Sequence, residues 1–254
     1  MIRQLKAGVQ RVANRLGYKV ERLDAGPPAP HRLELDPAYA DIIARVKPFT
    51  LTSCERIGSL VDAVRHISRT GIPGAIVECG VWRGGSMMAA ALALLEAGDP
   101  RELYLFDTYA GMTEPTERDF DFRGDAAEGL YRETLADDHS EWCYASLEDV
   151  TANLLSTGYP REKCHFIKGD VLQTIPAGAP DPIALLRLDT DWYESTRHEM
   201  THLFPRLQPG GILIVDDYGH WNGCRQAVDE YFGQAPPFMF QIVYTGRALV
   251  KQPA

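Results

Sequence analysis

Apolar and polar positions divide the chain into two regimes. Up to about residue 71 they follow a helical period, and from residue 75 short apolar runs alternate with helical stretches. In residues 2–23, Ile2, Leu5, Val9, Val12, Leu16 and Val20 recur at helical spacing, with bases on the other face. That pattern predicts a docking helix or dimer arm, or else a helix lying on a membrane surface. Gly26-Pro27-Pro28-Ala29-Pro30 breaks the chain and reads as a linker. Residues 36–71 read as helical with a break at Lys47-Pro48. The stretch from Ser53 to Thr70 carries Ile57, Leu60, Val61, Val64 and Ile67 on one face.

Beyond residue 75 the apolar runs at 75–79, 103–106, 165–168, 183–188, 212–215, 238–244 and 248–251 predict strands. Helical stretches near 86–97, 146–157, 194–207 and 223–233 lie between them. Strands rich in Ile, Val and Leu that alternate with helices predict an α/β fold, a parallel sheet covered on both faces. The last two runs are joined through Thr245-Gly246-Arg247, short enough for an antiparallel hairpin. Ligands of such sheets sit beyond the C-terminal ends of the strands. The stretch 113–142 fits neither pattern: Glu114, Glu117, Asp119, Asp121, Asp125 and Glu128 mingle with Phe120, Phe122 and Tyr131. It reads as a mobile, solvated lid inserted after the second strand. The expected organisation is an N-terminal helical arm and linker over 1–46 and a main domain over 47–254.

Composition narrows the class. The formal charge is −9 over 254 residues, and residues 1–23 carry six bases and one acid, so the rest of the chain stands at −14. An acidic body argues against nucleic-acid binding, which depends on Lys and Arg neutralising phosphates. No apolar run is long enough to cross a bilayer, and the basic N-terminus lacks the continuous apolar stretch of a signal peptide. Five scattered cysteines without a C-x-x-C pair fit reduced thiols in a cytoplasmic protein.

The acids gather where the fold would place a ligand. Val77-Glu78-Cys79-Gly80-Val81-Trp82-Arg83-Gly84-Gly85-Ser86 runs from the first strand through a glycine turn into a helix. Its spacing is G-x-x-x-G-G, not the G-x-G-x-x-G of dinucleotide sites. Glu78 would repel a pyrophosphate but suits the ammonium of an amino acid such as S-adenosylmethionine. Asp107 ends the second strand, where an acid accepts hydrogen bonds from ribose hydroxyls, and Asp170 ends the third. Leu188-Asp189-Thr190-Asp191-Trp192 and Val215-Asp216-Asp217-Tyr218 each follow a strand that the fold makes neighbours. Four carboxylates converging at one sheet edge repel each other and call for a hard cation such as Mg²⁺. A carboxylate near the cation would then take a proton from a substrate hydroxyl. Trp192, His220 and Trp221 stand where they would frame a ring-shaped acceptor.

Taken together, these motifs resemble the macrocin O-methyltransferase (TylF-like) family. The resemblance runs from about residue 47 to about residue 250. It includes Lys47-Pro48-Phe49-Thr50-Leu51-Thr52-Ser53, Phe106-Asp107-Thr108-Tyr109-Ala110-Gly111-Met112 and Asp216-Asp217-Tyr218-Gly219-His220-Trp221. Ala110 stands where the family pattern usually has Glu. The resemblance implies a class I methyltransferase, with a Rossmann-like sheet, that uses S-adenosylmethionine and Mg²⁺ on a sugar hydroxyl of a glycosylated natural product or glycan. It implies metal ligands at Asp189, Asp216 and Asp217 and a general base at Asp191. Glu78 and Gly80 would hold the methionine end of the cofactor, Asp107 the ribose, and Asp170 with Ser146 the adenine side. Thr52 and Ser53 would close over it, and Cys79, Val81, Trp82, Ser86, Thr108 and Gly111 complete the cofactor set. The expected partners are a small-molecule or glycan acceptor and further copies of the chain, as a dimer or higher homo-oligomer. Two alternatives stay open from the residues: a catechol or phenol O-methyltransferase, and an NAD-dependent nucleotide-sugar dehydrogenase or epimerase.

Overall fold

The computed structural model describes residues 31–253. The expected basic helix 2–23 and the linker 26–30 lie outside the described residues. The elements are α1 (Arg32–Leu35), α2 (Ala40–Val46), α3 (Cys54–Thr70), β1 (Ala75–Cys79), α4 (Gly85–Ala97), β2 (Leu103–Asp107), α5 (Ala127–Thr134) and α6 (Leu147–Leu155). They continue with β3 (Cys164–Lys168), α7 (Val171–Thr174), β4 (Ile183–Leu188), α8 (Tyr193–His202), β5 (Leu207–Val215), α9 (Asn222–Phe232), β6 (Phe240–Ile242) and β7 (Gly246–Val250). The expected break at Lys47-Pro48 is a 3₁₀ turn over Lys47–Phe49. Helix α3 starts where Ser53 accepts the Arg56 N–H and ends at Gly71 in the left-handed region.

The strands form one sheet in the order β3-β2-β1-β4-β5-β7-β6, parallel except for β7 and β6. Its two faces carry separate cores. Ile76, Leu103, Leu105, Leu185, Ile212 and Ile214 pack with α2, α3, α4 and α6. Val77, Phe106, Leu186, Leu188, Leu213 and Val215 pack with α7, α8 and α9. Successive residues of each strand therefore feed opposite cores, so the runs look continuously apolar.

Register places the chemistry. Cys79 pairs with Phe106 on one side and Leu188 on the other, and Leu188 pairs with Val215. The next residues along the four strands are Gly80, Asp107, Asp189 and Asp216, so they line up on one edge. That edge includes the point between β1 and β4 where strand order reverses, the usual ligand crevice of doubly wound sheets.

Three expectations need correction. The C-terminal hairpin turns at residues 243–245, not 245–247, because β7 is drawn into pairing with β5 as far as Val215↔Arg247. The helix expected over 194–207 stops at His202 and gives way to a 3₁₀ turn at Phe204–Arg206, since Pro205 cannot donate to an α-helix. The insertion is not solvated throughout. Asp119 is 1% exposed; its carboxylate accepts the Tyr193 N–H at 2.8 Å and the Thr116 N–H and hydroxyl at 2.7 and 2.8 Å. A Cβ on Gly223 would meet Asp119 Oδ1 at 1.9 Å, so α9 packs against the same carboxylate. Asp119 thus ties the insertion to the first turns of α8 and α9. Asp119→Ala is expected to lower the unfolding free energy by about 1–3 kcal/mol, the cost of losing buried hydrogen bonds to a charged group. Urea denaturation checks this, and an unchanged midpoint and slope would contradict it.

Candidate active site

A cavity of about 630 Å³ opens at the carboxyl edge of the sheet. Of the residues singled out by sequence, Thr52, Gly80, Val81, Trp82, Ser86, Asp107, Thr108, Gly111, Asp170, Asp189, Asp191, Asp216, Asp217, His220 and Trp221 line it. Ser53, Glu78, Cys79, Ser146 and Trp192 do not. Ser53 and Ser146 cap α3 and α6, accepting the Arg56 and Asp149 N–H groups. Trp192 is 2% exposed and donates its indole N–H to the Thr113 carbonyl at 2.9 Å, so it supports the wall from behind. Trp142, from the insertion, lines the cavity, with its ring 5.5 Å from Trp192 and 6.0 Å from Trp221.

The turn after β1 needs glycine at position 80. Gly80 has φ +79°, and a Cβ there would lie 2.1 Å from the Asp189 carbonyl oxygen. The β1 and β4 loops therefore touch at backbone level. Asp107 accepts the N–H groups of Val81 at 2.7 Å, Trp82 at 3.2 Å and Tyr109 at 2.8 Å. Burial raises its pKa, and these three donors oppose the rise. Asp170 caps α7, accepting the Leu172 N–H at 2.9 Å.

Beneath the cavity lies a charge cluster that sequence reasoning missed. Arg187 of β4 is 3% exposed. Its guanidinium pairs with Glu78, with Asp189 at 2.8 Å and with Asp216 at 2.8 Å, and it reaches Thr52 Oγ1 at 3.4 Å. Glu78 sits beside Arg187 in strand register, and Asp189 is two residues on, so all three share one face of the sheet. The available signal was an arginine in the run Ile183-Ala184-Leu185-Leu186-Arg187-Leu188. Asp216 is also paired with Arg56 of α3. Burial pushes the Glu78 carboxyl up to about 8, against the lowering influence of Arg187.

The donor oxygens of Asp189, Asp191 and Asp217 lie within 4.8 Å of one another. Burial is the first cause that raises all four aspartates, and their mutual repulsion adds to it. A hydrogen bond from Trp221 favours the charged form of Asp191. Asp191 has φ +69° and, like the positive-φ residues Trp82 and Cys143, lines the cavity. Unusual backbone thus collects at this site. Crowded, all-oxygen donors with raised pKa values fit a hard divalent cation, which would relieve their repulsion. The buried, unpartnered Glu78 Oε2 likewise fits a cationic donor group.

Glu199 of α8 is a second residue that the sequence did not reveal. It is fully buried and accepts from the Thr190 hydroxyl at 3.0 and 3.1 Å and from the Cys79 thiol. It therefore ties the β1 end to the loop that carries Asp189 and Asp191. Sequence spacing alone does not bring position 199 to that loop; packing of α8 does.

Sheet order, switch-point crevice and acidic strand ends define a class I methyltransferase. The profile of the Macrocin-O-methyltransferase (TylF) family matches residues 44–236. The 8-demethyl-8-(2,3-dimethoxy-alpha-L-rhamnosyl)-tetracenomycin-C 4'-O-methyltransferase of Streptomyces olivaceus is 34% identical over 186 residues, 73% of this chain and 68% of that protein. The mycinamicin III 3''-O-methyltransferase of Micromonospora griseorubida is 34% identical over 184 residues, 72% of this chain and 69% of that protein. The solved structure of the O-methyltransferase NovP superposes with a TM-score of 0.70 at 29% identity, covering 81% of this chain and 83% of that one. The chain belongs to the macrocin O-methyltransferase (TylF) family and is an O-methyltransferase. The dehydrogenase or epimerase alternative falls with that assignment. Among the described residues no helix is long and apolar enough to cross a membrane.

The Glu199 carboxyl is pushed from 4.5 up to about 8 by burial. The folded state then holds a proton that the unfolded chain releases at lower pH. Stability from this group is full below about 4.5 and is lost as pH rises through about 8. Glu199→Gln, a neutral isostere, removes that dependence. Its unfolding free energy is expected to gain on the parent steadily across this window in urea titrations at several pH values. A pH-independent difference would contradict a neutral Glu199.

Proposed function

We propose that the enzyme moves a methyl group from S-adenosylmethionine to a sugar hydroxyl of a glycosylated natural product, with Mg²⁺ bound at the acidic edge. The observation that carries the reading is the set of Asp189, Asp191 and Asp217 oxygens within 4.8 Å, beside a glycine turn and a backbone-anchored strand-end acid. The named substrates of the relatives, a rhamnosyl tetracenomycin and mycinamicin III, support a sugar acceptor.

Position supports each role. The cavity is within the size range of small-molecule and cofactor pockets. Asp107 would accept the ribose hydroxyls, and Asp170 the adenine amino group. Glu78 Oε2 would accept from the donor's ammonium group. Asp189, Asp216 and Asp217 would hold Mg²⁺, Asp216 after releasing one of its guanidinium partners. When bound, the ion offsets carboxylate charge and lowers the pKa of an acceptor hydroxyl. Asp191 would take the hydroxyl proton as the acceptor oxygen bonds to the methyl carbon and the carbon–sulfur bond breaks, leaving S-adenosylhomocysteine. Trp142, Trp221 and His220 would flank the acceptor ring and exclude water. Holding both reactants in line contributes rate through positioning.

Asp191→Asn is expected to lower kcat by at least about 10²-fold, the low end of general-base contributions. Calorimetric binding of S-adenosylhomocysteine should stay unchanged in that variant. Near-parental turnover would remove Asp191 from the base role. Excess EDTA should abolish turnover and added Mg²⁺ restore it; full activity in EDTA would remove the metal. An acceptor screen of glycosides against catechols and phenols should give product, a gain of one methyl group by mass, with glycosides alone.

A further inference from the structure

Asp216 has both oxygens engaged, Oδ1 by Arg187 Nη2 at 2.8 Å and Oδ2 by Arg56 Nη1. It is 2% exposed and precedes Asp217, whose donor oxygen groups with those of Asp189 and Asp191. The two guanidiniums differ in how they are held. Arg187 projects from a central strand and has Glu78, Asp189, Asp216 and Thr52 as partners. Arg56 projects from the first turn of α3, and its side chain is 16% exposed. Its Nε is buried with no hydrogen-bond partner among the described residues, so this placement leaves a donor unsatisfied. Arg56 also lines the cavity, next to the segment Thr50-Leu51-Thr52.

We infer that Arg56 is an internal competitor for the divalent cation: it occupies the Asp216 oxygen that the cation needs and so sets the affinity of the acidic site. The inference rests on the metal reading above. With a guanidinium on each oxygen, Asp216 can join Asp189 and Asp217 around an ion only in competition with those cations. Arg187 is the floor of the cluster, and its loss would strand three carboxylates. Among the described residues Arg56 has a single carboxylate partner and an unsatisfied Nε, and an open cavity lies beside it, so Arg56 is the group that yields. Loading the site therefore shifts the first turn of α3, the part of that helix nearest to Thr52.

The test is calorimetric titration of Mn²⁺ into the full chain saturated with S-adenosylhomocysteine, at fixed pH and low ionic strength, for the parent, Arg56→Met and Arg56→Lys. Removing a cation from beside a buried carboxylate should tighten divalent binding at least about fivefold in Arg56→Met. Arg56→Lys, which keeps the charge, should stay within about twofold of the parent. Equal or weaker binding by Arg56→Met, with measurable binding by the parent, overturns the competitor role and leaves the metal reading standing. Absence of saturable binding in every protein overturns both. A measurement on the parent covers failure of the variant to fold: hydrogen exchange over residues 53–58 should change when Mn²⁺ is added, and identical exchange would overturn the inference.

Discussion

Arg187 stands in the middle of an apolar strand, and much of the site depends on what it neutralises. A guanidinium removed from water is tolerated only when it is paired and its donors are used. Here Glu78, Asp189 and Asp216 are its carboxyl partners, and Thr52 takes a further donor. The dependence is mutual, because Glu78 and Asp216 are buried as well and Asp189 is half-buried at the cavity. Each arrives from the end of a different strand, β1, β4 or β5, whose registers are fixed by their own hydrogen bonds. The cluster therefore locks three strand ends relative to one another at the crevice. It also sorts the acids by availability: Glu78 lies beneath the cavity with one oxygen on Arg187 and the other unpartnered, whereas Asp191 and Asp217 line the cavity and, among the described residues, have no guanidinium in ion-pair contact.

The helices that follow the two acidic loops are steadied from the other side. Asp119 receives the first N–H of α8 and packs against Gly223 of α9. Trp142, Trp192 and Trp221 come from the insertion and from the starts of those two helices, with Trp192 and Trp221 5.0 Å apart. The insertion is thus a structural wall at its Asp119 and Trp142 ends, while Phe122 and Leu130 between them are exposed. Glu199 makes the corresponding link beneath, between Cys79 and Thr190. Both acidic loops are held by neutral or capped contacts outside the charge cluster, so their spacing does not depend on ion pairing alone.

How much of this was legible in the sequence follows from the range of each signal. The strands from β1 to β5 were readable because burial on both faces writes a continuous apolar run, which is local information. Asp189, Asp191, Asp216 and Asp217 were readable because they follow those runs in pairs. Arg187 sat inside a run and was overlooked, since its meaning depends on Glu78, which register alone brings beside it. Arg56, Asp119 and Glu199 act on partners 160, 74 and 9 residues away, and helix packing decides each contact. Trp192 showed the limit of proximity along the chain: it neighbours Asp191 yet turns behind the wall, and Trp142 takes the place at the cavity. The hairpin turn was misplaced for a similar reason, because pairing with β5, not turn chemistry, fixed where β7 begins.

The acidity of the chain gains a different meaning at this edge. Five carboxylates, Glu78, Asp189, Asp191, Asp216 and Asp217, face two guanidiniums, and burial raises the pKa of all five acids. A solvated acidic surface would leave its carboxyls near their ordinary values. Glu78 and Asp216 are held away from water, and Asp189, Asp191 and Asp217 reach it only partly at the cavity, so hydration relieves only part of their excess charge. Protons, or cations that enter the cavity, relieve the rest. The proposed ligand set, a methyl donor with an ammonium and a sulfonium together with a divalent ion, would meet that demand. The same apolar strands that build the core thereby create the electrostatic demand that defines the site.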